Sequence, residues 1–290
     1  MDQVREHAAA ALPIIVMIFM IGNLAVIGLE LDFRDALAPL ANRRFLVIVL
    51  AWDWLLCPGV AWMLAEIVPM ARPYALGLKL IGLAPAAPFL PMMVRRAGGD
   101  LAYTAAFMLI ASLGTVIFVP LALPLVAPGL KVSTWTVARP LIALILLPLI
   151  AGLSIKAWRS ALAKYLRTYV KLAADIATIA LLAAICIVYF DGFVGAIGSL
   201  AIGTQFVFAI AVTVGSYLMG EGLTREQRSV VCLGVCTRNL GAALAPLLAV
   251  ATDPRTTVMV ALGVPINLLV TFVAARWLGK RAGQSLAISQ

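Results

Sequence analysis

The sequence predicts an all-α polytopic membrane protein of about nine transmembrane helices, an inverted repeat with two broken crossing helices. Three observations carry this expectation. The 290 residues are 63% hydrophobic and 12% charged, with a mean hydropathy of +1.06; a soluble domain carries about a quarter charged residues. Apolar runs of about 20 residues recur along the whole chain, each long enough to cross roughly 30 Å of hydrocarbon. Two of them, the third and the eighth, are interrupted by proline, glycine and polar residues. No long linker or low-complexity stretch intervenes, so residues 1–290 are expected to form one membrane domain.

Taken in order, the first run spans about Leu12 to Leu31 and ends in Gly28-Leu-Glu-Leu31. The Met1–His7 segment before it is too polar for a signal peptide. The second covers about Phe45 to Val68 and contains Asp53. The third, about Tyr74 to Val94, is interrupted by Pro85-Ala-Ala-Pro88 and by Pro91. The fourth and fifth run from about Leu101 to Val126 and Val137 to Ile155, the sixth and seventh from about Leu172 to Phe190 and Phe193 to Met219. The eighth covers about Ser229 to Ala251 and the ninth about Thr257 to Leu278.

Basic residues orient these runs. Arg34, Arg43 and Arg44, then Arg95 and Arg96, fall on one side, as do Lys156, Arg159, Lys164, Arg167 and Lys171. Arg225, Arg228, Arg276, Lys280 and Arg281 join them, against Arg5, Arg72, Lys131, Arg139 and Arg255 on the other side. The positive-inside rule puts the richer side in the cytoplasm. The N-terminus is then outside and the C-terminus cytoplasmic, as an odd number of spans requires, in the plasma membrane of the cell. The two interrupted runs are five apart, so they traverse the bilayer in opposite directions. Runs one to four then pair with six to nine and leave the fifth without a counterpart, the pattern of an inverted-repeat transporter.

The eighth run carries the densest polar group of any span. Thr237, Arg238 and Asn239 stand together in Cys232-Leu-Gly-Val-Cys-Thr-Arg-Asn-Leu-Gly-Ala-Ala-Leu-Ala-Pro246, flanked by Gly234 and Gly241. An arginine at bilayer depth costs roughly 2.5–3.5 kcal/mol on insertion scales and must face protein or water. Glycine and proline around it point to an unwound helix; the alternative is a continuous helix with a structural arginine. At 1.5 Å per residue Arg238 lies about 15 Å in from Arg228, and Asp53 about 13 Å in from Arg44. Matching depth and opposite charge favour a pair: either a static tie that only fixes helix register, or a functional one that opens during transport or whose Asp53 takes a proton. In the third run Pro85, Pro88 and Pro91 remove backbone donors and free carbonyls for a cation or substrate; a simple kink is the plainer reading. Tyr103, Thr104, Ser112 and Thr115 can bond carbonyls of their own helix, and Lys171 with Asp175 reads as an i, i+4 ion pair.

Several functions lose ground on composition. The net charge of +9 is spent on membrane orientation, so no nucleic-acid partner is expected. Of Cys57, Cys186, Cys232 and Cys236 only the last two have ligand spacing, and two thiols without further ligands more often pack as small apolar groups. No metal site and no catalytic residue is expected. An intramembrane serine protease needs a histidine, and His7 stands outside the runs; an aspartyl protease needs facing carboxylates, and Asp53 and Asp175 differ in depth.

These residues resemble the bile acid:sodium symporter family, including its bacterial, nine-helix members. The likeness is carried by Gly28-Leu-Glu-Leu31, Pro58 to Trp62, Arg95-Arg-Ala-Gly-Gly-Asp100 and Thr237-Arg-Asn-Leu-Gly-Ala-Ala-Leu244. It implies a panel domain and a core domain, with two unwound helices crossing in the core and sodium and an organic anion bound around the crossing. It also implies that Asn239 and Thr104 belong to the crossing. In sodium-coupled members a glutamate and a glutamine stand where this chain has Gly234 and Arg238, a glutamine where it has Asp53, and a Ser-Asn pair where it has Leu90 and Pro91. The sodium sites therefore look dismantled, with a guanidinium in place of one ion, which leaves uniport or proton coupling. The expectation is a secondary transporter of a small organic anion working by alternating access, with substrate or ion contacts at Arg238, Asn239, Thr237, Asp53, Gly234, Pro88, Pro91 and Thr104. A passive channel or sensor on the same fold, and more remotely an intramembrane enzyme, are the alternatives.

Overall fold

The computed structural model describes residues 2–32, 34, 37–86, 88–126, 133–248 and 253–288. Twelve α-helices are described: α1 (Asp2–Glu30), α2 (Arg43–Ile67), α3 (Arg72–Gly82), α4 (Leu90–Arg96), α5 (Leu101–Val126), α6 (Thr134–Trp158), α7 (Ser160–Val188), α8 (Phe190–Gly195), α9 (Ala201–Met219), α10 (Arg225–Cys236), α11 (Leu240–Leu248) and α12 (Pro254–Ile288). Seven of them (α1, α2, α5, α6, α7, α9 and α12) are long and apolar enough to span a membrane. The third and eighth apolar runs are the helix pairs α3/α4 and α10/α11, each interrupted in its middle. The protein is thus an all-α polytopic membrane protein.

Local chemistry sets the helix ends. Asn42 accepts a hydrogen bond from the Phe45 N–H at the start of α2, and Asp100 accepts from Ala102 and Tyr103 at the start of α5. Thr224 and Gln227 close a reciprocal capping box at the start of α10. The helices α2 and α6 each contain a π turn, at Trp52–Leu56 and Ile142–Leu146, just ahead of Pro58 and Pro148. A proline withholds one N–H and crowds the carbonyl four residues back, and the widened turn accommodates both. The π turn of α2 contains Asp53.

Two boundaries differ from the sequence expectation. The seventh run begins as a helix at Ala201 rather than Phe193, because Gly198 (φ +83°) and Leu200 (φ +65°) turn the chain after the short α8. The sixth run begins as a helix well before Leu172: α6 continues past Ile155 to Trp158 and α7 starts at Ser160, so the basic connection is helical. Lysine, arginine, leucine and alanine are good helix formers, so nothing stops the helix where the apolar run stops.

The helices fall into two groups. In one, α1 packs along α6 and α7. Its tightest point is Gly28 on Gly152, where a Cβ on Gly28 would lie 2.4 Å from the Leu149 carbonyl oxygen. Small residues permit such close backbone approach where lipid supplies no hydrophobic drive between helices. In the other group α3 packs on α12 and α2, and α9 on α10 and α12. Gly77 meets Met259 and the Thr256 carbonyl there, and Gly82 meets Ala61. The large apolar side chains left exposed, such as Ile14, Ile117 and Ile179, suit contact with acyl chains rather than water.

Candidate functional site

The two interrupted helices meet at their breaks. Pro85 and Arg238 form an isolated antiparallel bridge, and the Asn239 N–H donates to the Ala84 carbonyl at 2.9 Å. Each unwound segment therefore satisfies part of the other's backbone, the condition for irregular chain in an apolar setting. The turn holds Ala86 at φ +50°, a left-handed conformation that costs a residue with a Cβ about 1–2 kcal/mol. The crossing over-determines it.

Arg238 sits at the centre, 5% exposed. Its Nε donates to the Val235 carbonyl at 3.3 Å and its Nη1 to the Gly82 carbonyl at 3.4 Å. Those acceptors lie at the C-terminal ends of α10 and α3, where carbonyls lack helical partners and the helix dipoles are negative. Nη2 lies 3.5 Å from the Asp53 Oδ1, and both side chains are almost completely buried. That is an ion-pair distance but not an aligned hydrogen bond, and neither Asp53 oxygen has a hydrogen-bonding partner among the described residues. A positive charge thus occupies a nest of two helix C-termini and one carboxylate.

Other expected site residues are placed less uniformly. Asn239 accepts from the Ala242 N–H through its Oδ1 and so caps α11, leaving its amide nitrogen as a donor. Thr237 is fully buried with its hydroxyl donating to the Gly234 carbonyl. Thr104 makes no hydrogen bond to the crossing among the described residues: its hydroxyl donates to the Asp100 carbonyl at 2.7 Å, at the start of α5. Gly234 packs under the Phe107 ring, whose carbons would stand 2.6 Å from an added Cβ. No longer side chain fits there unless the ring moves. Pro91 occupies the first turn of α4, half-buried, where its missing N–H costs nothing. The remaining polar groups behave as expected, with Thr115 donating to the Ala111 carbonyl and Lys171 paired to Asp175 at 2.9 Å.

A cavity of about 150 Å³ opens beside the crossing, between α1 and α7 on one side and α3, α4, α11 and α12 on the other. Arg238, Asn239 and Pro88 line it, with Phe19, Leu181 and Val260 among its apolar walls. Asp53, Thr237, Gly234, Pro91 and Thr104 are not among its lining residues. Two residues that sequence reasoning did not single out stand here. Asn267 on α12 lines the cavity, and Gln205 on α9, fully buried, donates to its Oδ1 at 3.3 Å. A carboxamide alone in an apolar run was the available signal, by the same rule that drew attention to Asp53.

Half-helices that meet at a polar crossing inside an apolar helical bundle, beside a cavity, define a membrane transporter. The chain belongs to the sodium bile acid symporter family: residues 14–196 match that family's sequence profile. The match covers Asp53 and the first break and ends before Arg238. No curated protein sequence matches the chain.

Proposed function

We propose that the protein is a secondary transporter that moves a small organic anion across the plasma membrane by alternating access, without sodium. The observation that carries this reading is the position of the Arg238 guanidinium. It contacts the Val235 and Gly82 carbonyls and stands 3.5 Å from Asp53. Helix C-termini and unwound carbonyls are the groups with which discontinuous helices coordinate sodium. A tethered cation already fills that role, and the Phe107 ring covers Gly234, the position of a glutamate in sodium-coupled relatives.

In this reading the substrate anion enters the cavity and meets the donors of Arg238 and Asn239. Asp53 holds or releases the proton that compensates the charge. The pairs α3/α4 and α10/α11 each complete one crossing, for nine in all, with inverted repeats and a cytoplasmic C-terminus. The test is flux of candidate organic anions into proteoliposomes under imposed gradients. Uptake that is unchanged when potassium or choline replaces sodium, and that rises with an inward proton gradient, is the expected result. Steep, cooperative sodium dependence would show the reading to be wrong.

A further inference from the structure

We propose that a groove between α1, α6 and α7 holds one acyl chain of an anionic phospholipid, whose phosphate rests against Lys156 and Arg159 at the elbow between α6 and α7. This goes beyond the transport reading and does not depend on what the protein carries.

The groove is the first argument. Its volume is about 350 Å³, and none of the described residues lining it is polar. Ligand-holding clefts begin at about 300 Å³. Ala25, Ala151 and Gly152 are too small to fill the space between the three helices, which leaves it open beside the exposed Ile21 and Leu147. Along α6 the lining runs from Leu147 to Ile155, about 12 Å at 1.5 Å per residue. One leaflet offers about 15 Å of hydrocarbon, so the groove follows most of one acyl chain.

Charge at one end of the groove is the second argument. Lys156 lies one turn past Gly152 and Arg159 one turn past Ile155, both on rows of α6 that line the groove. Helix rise places Arg159 about 6 Å beyond Ile155, within a headgroup layer about 5–8 Å thick in each leaflet. The neighbouring Arg167 and Lys171 are taken by Glu30 and Asp175, whereas Lys156 and Arg159 have no ion-pair partner among the described residues. The helix α7 begins at the same elbow without a side-chain cap, which adds the positive end of its dipole.

Aromatic side chains mark the same level. Trp158 is 86% exposed, and the exposed Tyr165 and Tyr169 stand with ring centroids 5.1 Å apart. Amphipathic rings of this kind settle at the membrane–water interface. A lipid fits this combination better than a second copy of the chain does. Two-fold packing across the groove would bring Lys156 and Arg159 towards their own counterparts, like charge against like.

The experiment is native mass spectrometry of the purified, delipidated full-length protein, reading the affinity of the first bound lipid. The probes are phosphatidylglycerol and phosphatidylcholine with identical chains, and glycerol 3-phosphate as the headgroup without chains. Phosphatidylglycerol should bind at least about tenfold tighter than phosphatidylcholine, and glycerol 3-phosphate should not bind. Lys156→Gln and Arg159→Gln should each cost phosphatidylglycerol about fivefold, the factor that one surface cation supplies near anionic lipid. Lys164→Gln should cost nothing, because Lys164 is two residues from the groove-lining Leu166 and so on the far side of α7. Ala151→Leu fills the groove and should weaken both lipids while keeping their ratio. Equal binding of the two lipids, a preference that survives Lys156→Gln with Arg159→Gln, or unchanged binding in Ala151→Leu overturns the proposal. A dimer that Ala151→Leu disrupts, with no lipid preference in the parent, overturns it in favour of a second copy in the groove.

Discussion

At the scale of single residues the crossing depends on one buried charge pair. Removing one partner of such a pair typically costs roughly 3–5 kcal/mol, because the other charge is stranded. Asp53→Ala and Arg238→Ala should therefore each lower the thermal midpoint in detergent and abolish transport. Arg238 also holds the Gly82 and Val235 carbonyls, so its loss should be the more damaging. A double change to neutral residues should recover folding more than flux; single variants that are both as stable as the parent would mean the pair is not needed for folding. Gly234 makes a second, independent case. A methyl group there meets the fully buried Phe107 ring at 2.6 Å, and overpacking of this kind costs about 1–3 kcal/mol. Gly234→Ala should be destabilised by that amount and largely rescued by Phe107→Leu. Equal destabilisation with and without Phe107→Leu would locate the strain elsewhere.

At the scale of elements, Glu30 at the end of α1 is the point where the two helix groups are tied by charge. It accepts from Arg167 of α7 at 2.6 Å and stands 3.9 Å from Arg95 of α4. The first contact is within one helix group, while the second crosses to the interrupted helix of the other. All three side chains are partly exposed, so their worth to stability is about 1 kcal/mol or less. Glu30→Gln should leave the thermal midpoint nearly unchanged while altering the transport rate, since only the rate depends on relative motion of the groups. A large fall in stability with unaltered flux would mark the tie as structural. The same scale explains the extended α7: Lys164, Arg167 and Lys171 ride on helix beyond the apolar run, which is why Arg167 can reach Glu30.

For the whole molecule, the proposed orientation rests on the distribution of lysine and arginine. Impermeant thiol labelling of single cysteines, introduced in a background lacking the four native ones, should find residue 5 accessible from outside. Residue 276 should be accessible only after permeabilisation. Labelling of both from the same side would require an even number of crossings and would overturn the proposed nine-crossing inverted repeat.

The sequence alone determined that this chain spans a membrane, where its long helices lie, and which two of them break. Those properties are set by local composition: apolar runs of bilayer length, prolines at 85, 88 and 91, and glycine around Thr237–Asn239. It also placed Asp53 and Arg238 at one depth, because helix rise is a fixed distance per residue. What only the tertiary structure decided is which groups face the cavity. Thr104 spends its hydroxyl on the Asp100 carbonyl and Gly234 disappears under Phe107, whereas Asn239 caps α11 through its Oδ1 and still lines the cavity. Gln205 and Asn267 meet across 62 residues of sequence. Facing is a matter of how helices rotate and pack against one another, and that depends on the side chains of every neighbour at once, which no single run of residues encodes.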